Sequence, residues 1–367
     1  MNIPFMRFDR MHAPIRDALI AASTGVIDSG WYILGENVAA FEKSFADYCE
    51  TGYAIGVGNG LEALHLALRV LKIGTGDEVI VPSNTYIATL LAVSYTGATP
   101  VLAEPRLATY NLDPDAFKAA ITPRTRAVIP VHLYGQPCEM DAIMALSNEY
   151  GLKVIEDNAQ SQGARYLGRR TGSWGHLNAT SFYPGKNIGA LGDGGALTTN
   201  EYAFDQATRK WRNYGSEVKY YNQVQGYNSR LDELQAAFLK IKLAHLDAWN
   251  QERQRLARVY TQALQNLGDL VLPIEAPGAE SVYHLYVIRT ADRNGLQEFL
   301  GKQGIGTLIH YPVPPHLQEA YRHQGWQAGQ FPMAETIAHS ALSLPLYPGL
   351  TDEEQAYIIR QIQSYFA

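Results

Sequence analysis

Apolar residues recur along this chain in two alternating rhythms. Val38, Phe41, Phe45 and Tyr48 fall three or four positions apart and predict a helix from Glu36 to Cys49. Tyr53 to Val57 is a short β-prone run that enters the turn Gly56-Val57-Gly58-Asn59-Gly60, and Leu61, Leu64, Leu68 and Leu71 then form a second helical stripe. The alternation continues. Glu78 to Val81 reads as a strand, Pro82 to Tyr86 as a turn and Ile87 to Tyr95 as a helix. A strand begins at Val101-Leu102, and a buried one spans Arg126 to Val131. A helix over Met140 to Tyr150 and a strand over Lys153 to Glu156 follow. Strands alternating with helices imply right-handed crossovers and a mostly parallel sheet.

Beyond this region the rhythm changes. Ala203 to Asn213 is helical, 214–230 is a loop rich in tyrosine, asparagine and glycine, and Leu231 to Leu267 is a long helical segment with a break near Asp247. After about Gly268, strands near Val282 to Arg289 and helices near Leu296 to Lys302, Met333 to Ala341 and Asp352 to Tyr365 predict a smaller α/β unit. The expected division is an arm over 1–35, a large domain over 36–248 and a small domain over 249–367. A chain of 367 residues is long enough for two such units. Net charge is −6, which gives no electrostatic footprint for nucleic acid. No apolar run approaches a membrane span. Two cysteines, Cys49 and Cys138, form no disulfide or zinc framework, and a cytoplasmic location is expected. No cluster of histidine, cysteine and carboxylates has metal-ligand spacing.

In parallel sheets, ligands sit beyond the carboxyl ends of the strands. The Gly60 turn, Tyr86 and Glu156-Asp157-Asn158-Ala159-Gln160 all fall there. Gly56, Gly58 and Gly60 are one residue short of a dinucleotide fingerprint, and Leu61 stands where the last glycine belongs. The turn therefore reads as a cradle for one phosphate on free helix-start amides, or as a plain βα turn. Asp157 ends the run KVIE, so it is either a buried carboxylate awaiting a ligand's cation or a cap for the next turn. The stretch SFYPGKNIGALGDGG, Ser181 to Gly195, puts Lys186 directly after a strand-breaking Pro184-Gly185. Lys186 is not a Walker lysine, because Asn187 follows it and Thr180 occupies the place of the first P-loop glycine. It is either a solvated loop lysine or an amine dried enough to attack a carbonyl.

An anion cradle, a flat aromatic ring, a carboxylate and a lysine suit one ligand together. Pyridoxal phosphate has a phosphate, a ring, a ring nitrogen that works best protonated and an aldehyde that an amine captures. The motifs GVGNGLEALHLAL, PSNTYIAT, VIEDNAQSQGA, SFYPGKNIGALGDGG, GYNSRLDELQAA and IHYPVPPHLQEAY resemble those of the StrS/DegT-type aminotransferases of nucleotide-sugar biosynthesis. The resemblance covers nearly the whole chain. It implies the aspartate aminotransferase fold (fold type I), a large mostly parallel sheet domain plus a smaller C-terminal α/β domain. It makes Lys186 the catalytic lysine that holds the cofactor as a Schiff base. It pairs Asp157 with the ring nitrogen, puts Gln160 near the phenolic oxygen and stacks Tyr86 on the ring. It assigns Gly60, Leu61 and Ser181 to the phosphate. Asn228 reaches the phosphate of a neighbouring subunit, so a homodimer with shared sites is implied.

Gly60-Leu61-Glu62 departs from the Gly-Thr-Asp or Gly-Thr-Ser of many relatives, and Leu61 offers the cradle only its backbone amide. With Arg212-Asn213-Tyr214-Gly215-Ser216, this variant is similar to enzymes that aminate C3 of a dTDP-linked 3-keto-6-deoxyhexose. Glutamate is the implied donor, leaving as 2-oxoglutarate, and pyridoxamine phosphate the intermediate form. Tyr183, His310, Tyr311 and His316 are candidates for the sugar-nucleotide side, with His132 at a strand end a further one; each histidine also fits a plain loop residue. The alternatives are a nucleotide-sugar 4-aminotransferase, an NAD-dependent dehydrogenase using the glycine turn, or a non-catalytic regulator of this fold. A pyridoxamine-dependent dehydratase fits less well, since such relatives carry histidine in place of the lysine.

Overall fold

Seven strands form the central sheet of the computed structural model, which describes residues 1–367. In chain order they are β1 (Tyr53–Val57), β2 (Glu78–Pro82), β3 (Thr99–Ala103), β4 (Thr125–Val128), β5 (Lys153–Asp157), β6 (Leu177–Ser181) and β7 (Gly195–Thr199). Across the sheet they lie in the order β1-β7-β6-β5-β4-β2-β3. Every pairing from β6 to β3 is parallel; β7 runs antiparallel to both its neighbours.

Alternation within the strands explains the layers. Val79 and Val81 of β2 pack into one core with the helices Gly60–Val70 and Ile87–Tyr95, while Ile80 between them packs into a second core with Phe117, Met140 and Ile143. Ile155 and Val154 of β5 divide the same way. Both faces are covered, so the strands read as continuous apolar runs. Register then places the chemistry. Asp157 pairs with Ala179, and Gly195 pairs with both Val57 and Ser181. The β1 and β6 termini therefore flank Gly195, where an added Cβ would lie 2.4 Å from the Asn59 backbone.

The C-terminal part has its own core. Tyr286–Arg289 pairs antiparallel with Ala341–Leu344, under the helices Leu246–Leu264, Arg293–Lys302 and Asp352–Phe366. Leu256, Tyr260, Leu296, Leu300, Ile358 and Ile362 fill it, and Ile3 joins them through a bridge to Ile305. No helix is long and apolar enough to cross a membrane.

Several elements differ from expectation. Within 1–35 lies a helix, Arg16–Ser29, which ends where Gly30 adopts φ +62°. Only Leu19 and Val26 of it are buried, so its apolar stripe is faint. The long helical segment breaks at Ala244-His245, slightly earlier than Asp247. Gly195–Thr199 is a central strand and Ala341–Leu344 is strand rather than helix end. The loop over 214–230 contains a ribbon, Ser216–Val218 against Tyr221–Asn222.

Candidate active site

The carboxyl ends of β1, β2, β5 and β6 open onto one edge of the sheet. After β1, Asn59 caps the helix Gly60–Val70, its side chain accepting from Glu62 N at 2.9 Å. The amides of Gly60 and Leu61 come before the first intrahelical bonds, and nothing in the protein accepts from them. A Cβ at Gly60 would meet Ser181 Cβ at 2.6 Å. The free amides of Gly60 and Leu61 thus lie beside Ser181 and its hydroxyl, a set of donors suited to an anion.

Asp157, the last residue of β5, is buried. Its Oδ2 accepts from Thr89 Oγ1 at 3.0 Å and its Oδ1 from Ala159 N at 3.2 Å. Both readings of Asp157 are thus visible: it caps its own turn, and its remaining lone pairs have no bonded cation. Burial raises its carboxyl above the ordinary value, against the pull of Ala159, Thr89 and the Lys186 charge. Such a carboxylate suits a charge-assisted bond to a protonated ring nitrogen.

Lys186 is half-buried in the loop after β6. Desolvation lowers its ammonium to about 8, with the Asp157 charge acting the other way. Its amide donates to Tyr183 O at 2.9 Å. Two constraints shape this loop. A Cβ at Gly189 would lie 2.2 Å from Pro184 O, and Lys242 Nζ, buried on the helix Glu233–Leu243, donates to Gly189 O at 2.6 Å.

Gln160 Oε1 accepts from Tyr134 N at 2.7 Å, and its Nε2 donates to Tyr311 Oη at 3.2 Å. The Tyr311 ring lies 5.0 Å from that of Tyr86, whose own face is exposed. Burial pushes the Tyr311 phenol up. His310 Nδ1 meets Ser343 Oγ at 2.8 Å, and burial, then the nearby Lys186 charge, lowers its imidazolium to about 4. Gln160, Tyr86, Tyr311 and His310 therefore gather around the Asp157–Lys186 edge.

Other candidates stand apart. Tyr183 is exposed, with no bonded side-chain partner. His316 is buried under Phe331, its Nε2 3.0 Å from Glu335 Oε1. His132 is buried between Glu156 Oε2 at 2.8 Å and the Cys138 amide at 3.0 Å, a bracing position behind β5. Asn228 is exposed; its backbone bridges Asn213, and its side chain bonds nothing in its own chain.

Three neighbours escaped the sequence reading. Thr89 supports Asp157 and in turn meets Thr85 Oγ1 at 2.8 Å. A hydroxyl one turn after Tyr86, in the otherwise apolar run IATLLAV, was the available signal. His284 lies near Lys186 and His310, and Lys242 holds Gly189. Neither has a local signal.

The model of the DegT/DnrJ/EryC1/StrS aminotransferase family matches residues 14–363. This chain belongs to that family. The family is pyridoxal-phosphate dependent, and solved structures similar to this chain include forms with pyridoxal phosphate and with pyridoxamine phosphate. The chain is 49% identical over 364 residues to a dTDP-3-amino-3,4,6-trideoxy-α-D-glucose transaminase of Streptomyces venezuelae, covering 99% of this chain and 96% of that one. It is 49% identical over 363 residues to a dTDP-3-amino-3,6-dideoxy-α-D-galactopyranose transaminase of Aneurinibacillus thermoaerophilus, covering 99% of each. The crystal structure of S. venezuelae DesV in complex with a ketimine intermediate superposes with a TM-score of 0.98 at 49% identity, covering 99% of this chain and 98% of that one. The sheet and its open edge are thus those of a pyridoxal-phosphate aminotransferase of fold type I.

Proposed function

We propose that this enzyme transfers the amino group of glutamate to C3 of a dTDP-linked 3-keto-6-deoxyhexose, giving a dTDP-3-amino-3,6-dideoxyhexose. The observation that carries the chemistry is the approach of a dried amine, Lys186, and an unpaired buried carboxylate, Asp157, at the edge where free helix-start amides lie. The C3 position is supported by the two dTDP-3-amino-sugar transaminases.

The residues fit pyridoxal phosphate. Gly60 and Leu61 would hold its phosphate by their amides and Ser181 by its hydroxyl. Asp157 would hold its ring nitrogen, Gln160 its phenolic oxygen, and Tyr86 would lie on its ring. When bound, the cofactor supplies an electron sink for the carbon that loses a proton. Asp157 keeps that sink cationic, and Thr89 keeps Asp157 ionised and oriented. Lys186 Nζ would hold the cofactor at its aldehyde carbon and, when free, would take and return the migrating proton. A pKa of about 8 leaves an appreciable fraction of its free amine neutral near physiological pH, as a base requires. Buried His310 stays neutral and adds no positive charge beside that amine.

Asn228 extends the reading to two copies. It faces solvent in its own chain, and we assign it to the phosphate held by a second copy in a homodimer. Tyr183, His310, Tyr311 and His316 remain our assignment for the sugar-nucleotide side. The domain division 1–35, 36–248 and 249–367 is retained as a proposal, as is a cytoplasmic location. The test is a panel of 3-keto and 4-keto dTDP- and UDP-sugars with glutamate, following 2-oxoglutarate. Turnover of the 3-keto dTDP-sugar is expected. Preference for a 4-keto sugar would move the enzyme to the 4-amino class.

A further inference from the structure

Asn187, the residue after Lys186, is buried and bonded on three sides. Its Nδ2 donates to Val282 O at 3.1 Å and to Asn250 Oδ1 at 2.7 Å, and its Oδ1 lies 3.0 Å from His284 Nδ1. These contacts fix the hydrogens. A backbone carbonyl only accepts, so the atom facing Val282 O must be the Asn187 nitrogen. Asn250 Nδ2 donates to another carbonyl, Gln162 O, at 2.9 Å, so Asn250 also has its oxygen toward Asn187. The Asn187 oxygen therefore faces His284, and His284 Nδ1 must carry the hydrogen. The tautomer follows from two backbone carbonyls at the far ends of the chain of bonds.

We propose that His284 is a positioning residue for Lys186, its Nδ1–H holding the Asn187 side chain and, through it, the backbone that carries the lysine. Three segments meet at Asn187, the loop after β6, the helix Leu246–Leu264 and the approach to the strand Tyr286–Arg289, and Asn250 ties in the loop after β5 through Gln162 O. A neutral imidazole suits the place. The titratable groups facing His284 are Lys186, Arg253 and the neutral His310, and Arg253 Nη1 donates to the His284 main-chain oxygen at 3.2 Å. No carboxylate bonds the ring. His284 thus keeps one hydrogen, on Nδ1, and leaves Nε2 a lone pair.

The proposal rests on Lys186 being the amine that engages the cofactor. The experiment mixes pyridoxal phosphate with apoenzyme of the wild type and of His284→Asn, His284→Gln and His284→Leu. The rate of covalent capture is read from visible absorbance. Borohydride reduction and peptide mass spectrometry then locate the modified lysine. An asparagine amide can place its N–H near the Nδ1 position; a glutamine amide sits one carbon too far out. Capture at Lys186 by His284→Leu and His284→Gln is expected to be about 10- to 100-fold slower. His284→Asn is expected within about threefold of the wild type, since it restores the one donor needed. Asparagine no better than leucine, or leucine as fast as the wild type, overturns the proposal. If the leucine variant does not fold, equal rates for the asparagine and glutamine variants overturn it. Lys186→Ala tests the underlying reading separately: capture that persists there puts the cofactor on another lysine, which no result in the His284 series would imitate.

Discussion

Thr89 Oγ1 donates to Asp157 Oδ2 across 3.0 Å, joining the helix after Tyr86 to the end of β5. This is the only side-chain hydrogen bond to a carboxylate that burial pushes toward protonation. Thr89→Val removes the donor at nearly constant volume. The Asp157 pKa then rises further, and the acid limb of the kcat profile moves to higher pH. Loss of a hydrogen bond to a charged group is worth about 1.5–3 kcal/mol, so kcat is expected to fall about 10- to 100-fold. Thr89→Ser should recover most of it. An unmoved acid limb in the valine variant would sever Thr89 from the ionisation of Asp157.

The cradle can be closed by one methyl group. A Cβ at Gly60 would lie 2.6 Å from Ser181 Cβ, although the helical backbone at Gly60 admits alanine. Gly60→Ala is expected to raise the pyridoxal phosphate dissociation constant at least about tenfold and to destabilise the protein by about 1–3 kcal/mol through overpacking. Adding Ser181→Gly removes the atom in the way and should restore stability, with less return of affinity because the hydroxyl is gone. Equilibrium cofactor titration and thermal melts separate the two effects. A single variant that binds as the wild type does would show the phosphate lies elsewhere.

How much of this was legible follows from where each contact comes from. The strand runs announced their own carboxyl ends, so the placement of Gly60, Tyr86, Asp157 and Lys186 at strand ends could be read from periodicity and turn residues; their order across the sheet, Gly60, Lys186, Asp157, Tyr86, comes only from the pairing. β7 escaped because GALTT has little alternation; it is buried throughout and runs against its neighbours. The helix Arg16–Ser29 escaped because Ile20 and Ile27 face outward and blur its stripe. Thr89, His284 and Lys242 act on residues 68, 97 and 53 positions away. Such pairings exist only after the sheet and helices have packed, and no local spacing encodes them. His316, a candidate for the sugar-nucleotide side that also fits a loop residue near a proline turn, likewise finds its partners at a distance, in Glu335 and the Phe331 ring.

Lys242 makes a pH-dependent contribution to stability. Burial lowers its ammonium to about 8, as it does for Lys186. A lysine whose folded pKa lies below its unfolded value of about 10.4 binds fewer protons when folded, within that window. Unfolding then takes up protons, and stability rises as pH climbs from about 8 toward about 10.4. In the apoenzyme, Lys242→Met removes one of these two contributions. Its stability curve should rise less steeply than the wild type's between pH 8 and 10, by on the order of 2 kcal/mol across the interval. Below pH 8 the variant escapes the desolvation of a charge but orphans Gly189 O, so cofactor capture should slow there even where stability holds. Urea melts at several pH values measure the slope; parallel curves would mean that Lys242 titrates normally.

Shared sites make a prediction that no monomeric arrangement can imitate. The Asn228 side chain bonds nothing in its own chain, while Asp157 is buried and Lys186 half-buried beside the cradle. If Asn228 serves the opposite copy, a heterodimer of Lys186→Ala with Asn228→Ala has one site lacking both residues and one site lacking neither. Each variant alone is expected to be impaired, Lys186→Ala almost completely and Asn228→Ala by at least about tenfold. Unfolding and refolding an equal mixture gives half heterodimers, so about a quarter of all sites become wild type. Activity of the mixture should therefore exceed that of either parent. If Asn228 serves its own chain, every site in the mixture keeps a defect and activity stays at the average of the parents. Size-exclusion chromatography of the same samples establishes that dimers re-form, so a failure to recover activity can be assigned to the site rather than to assembly.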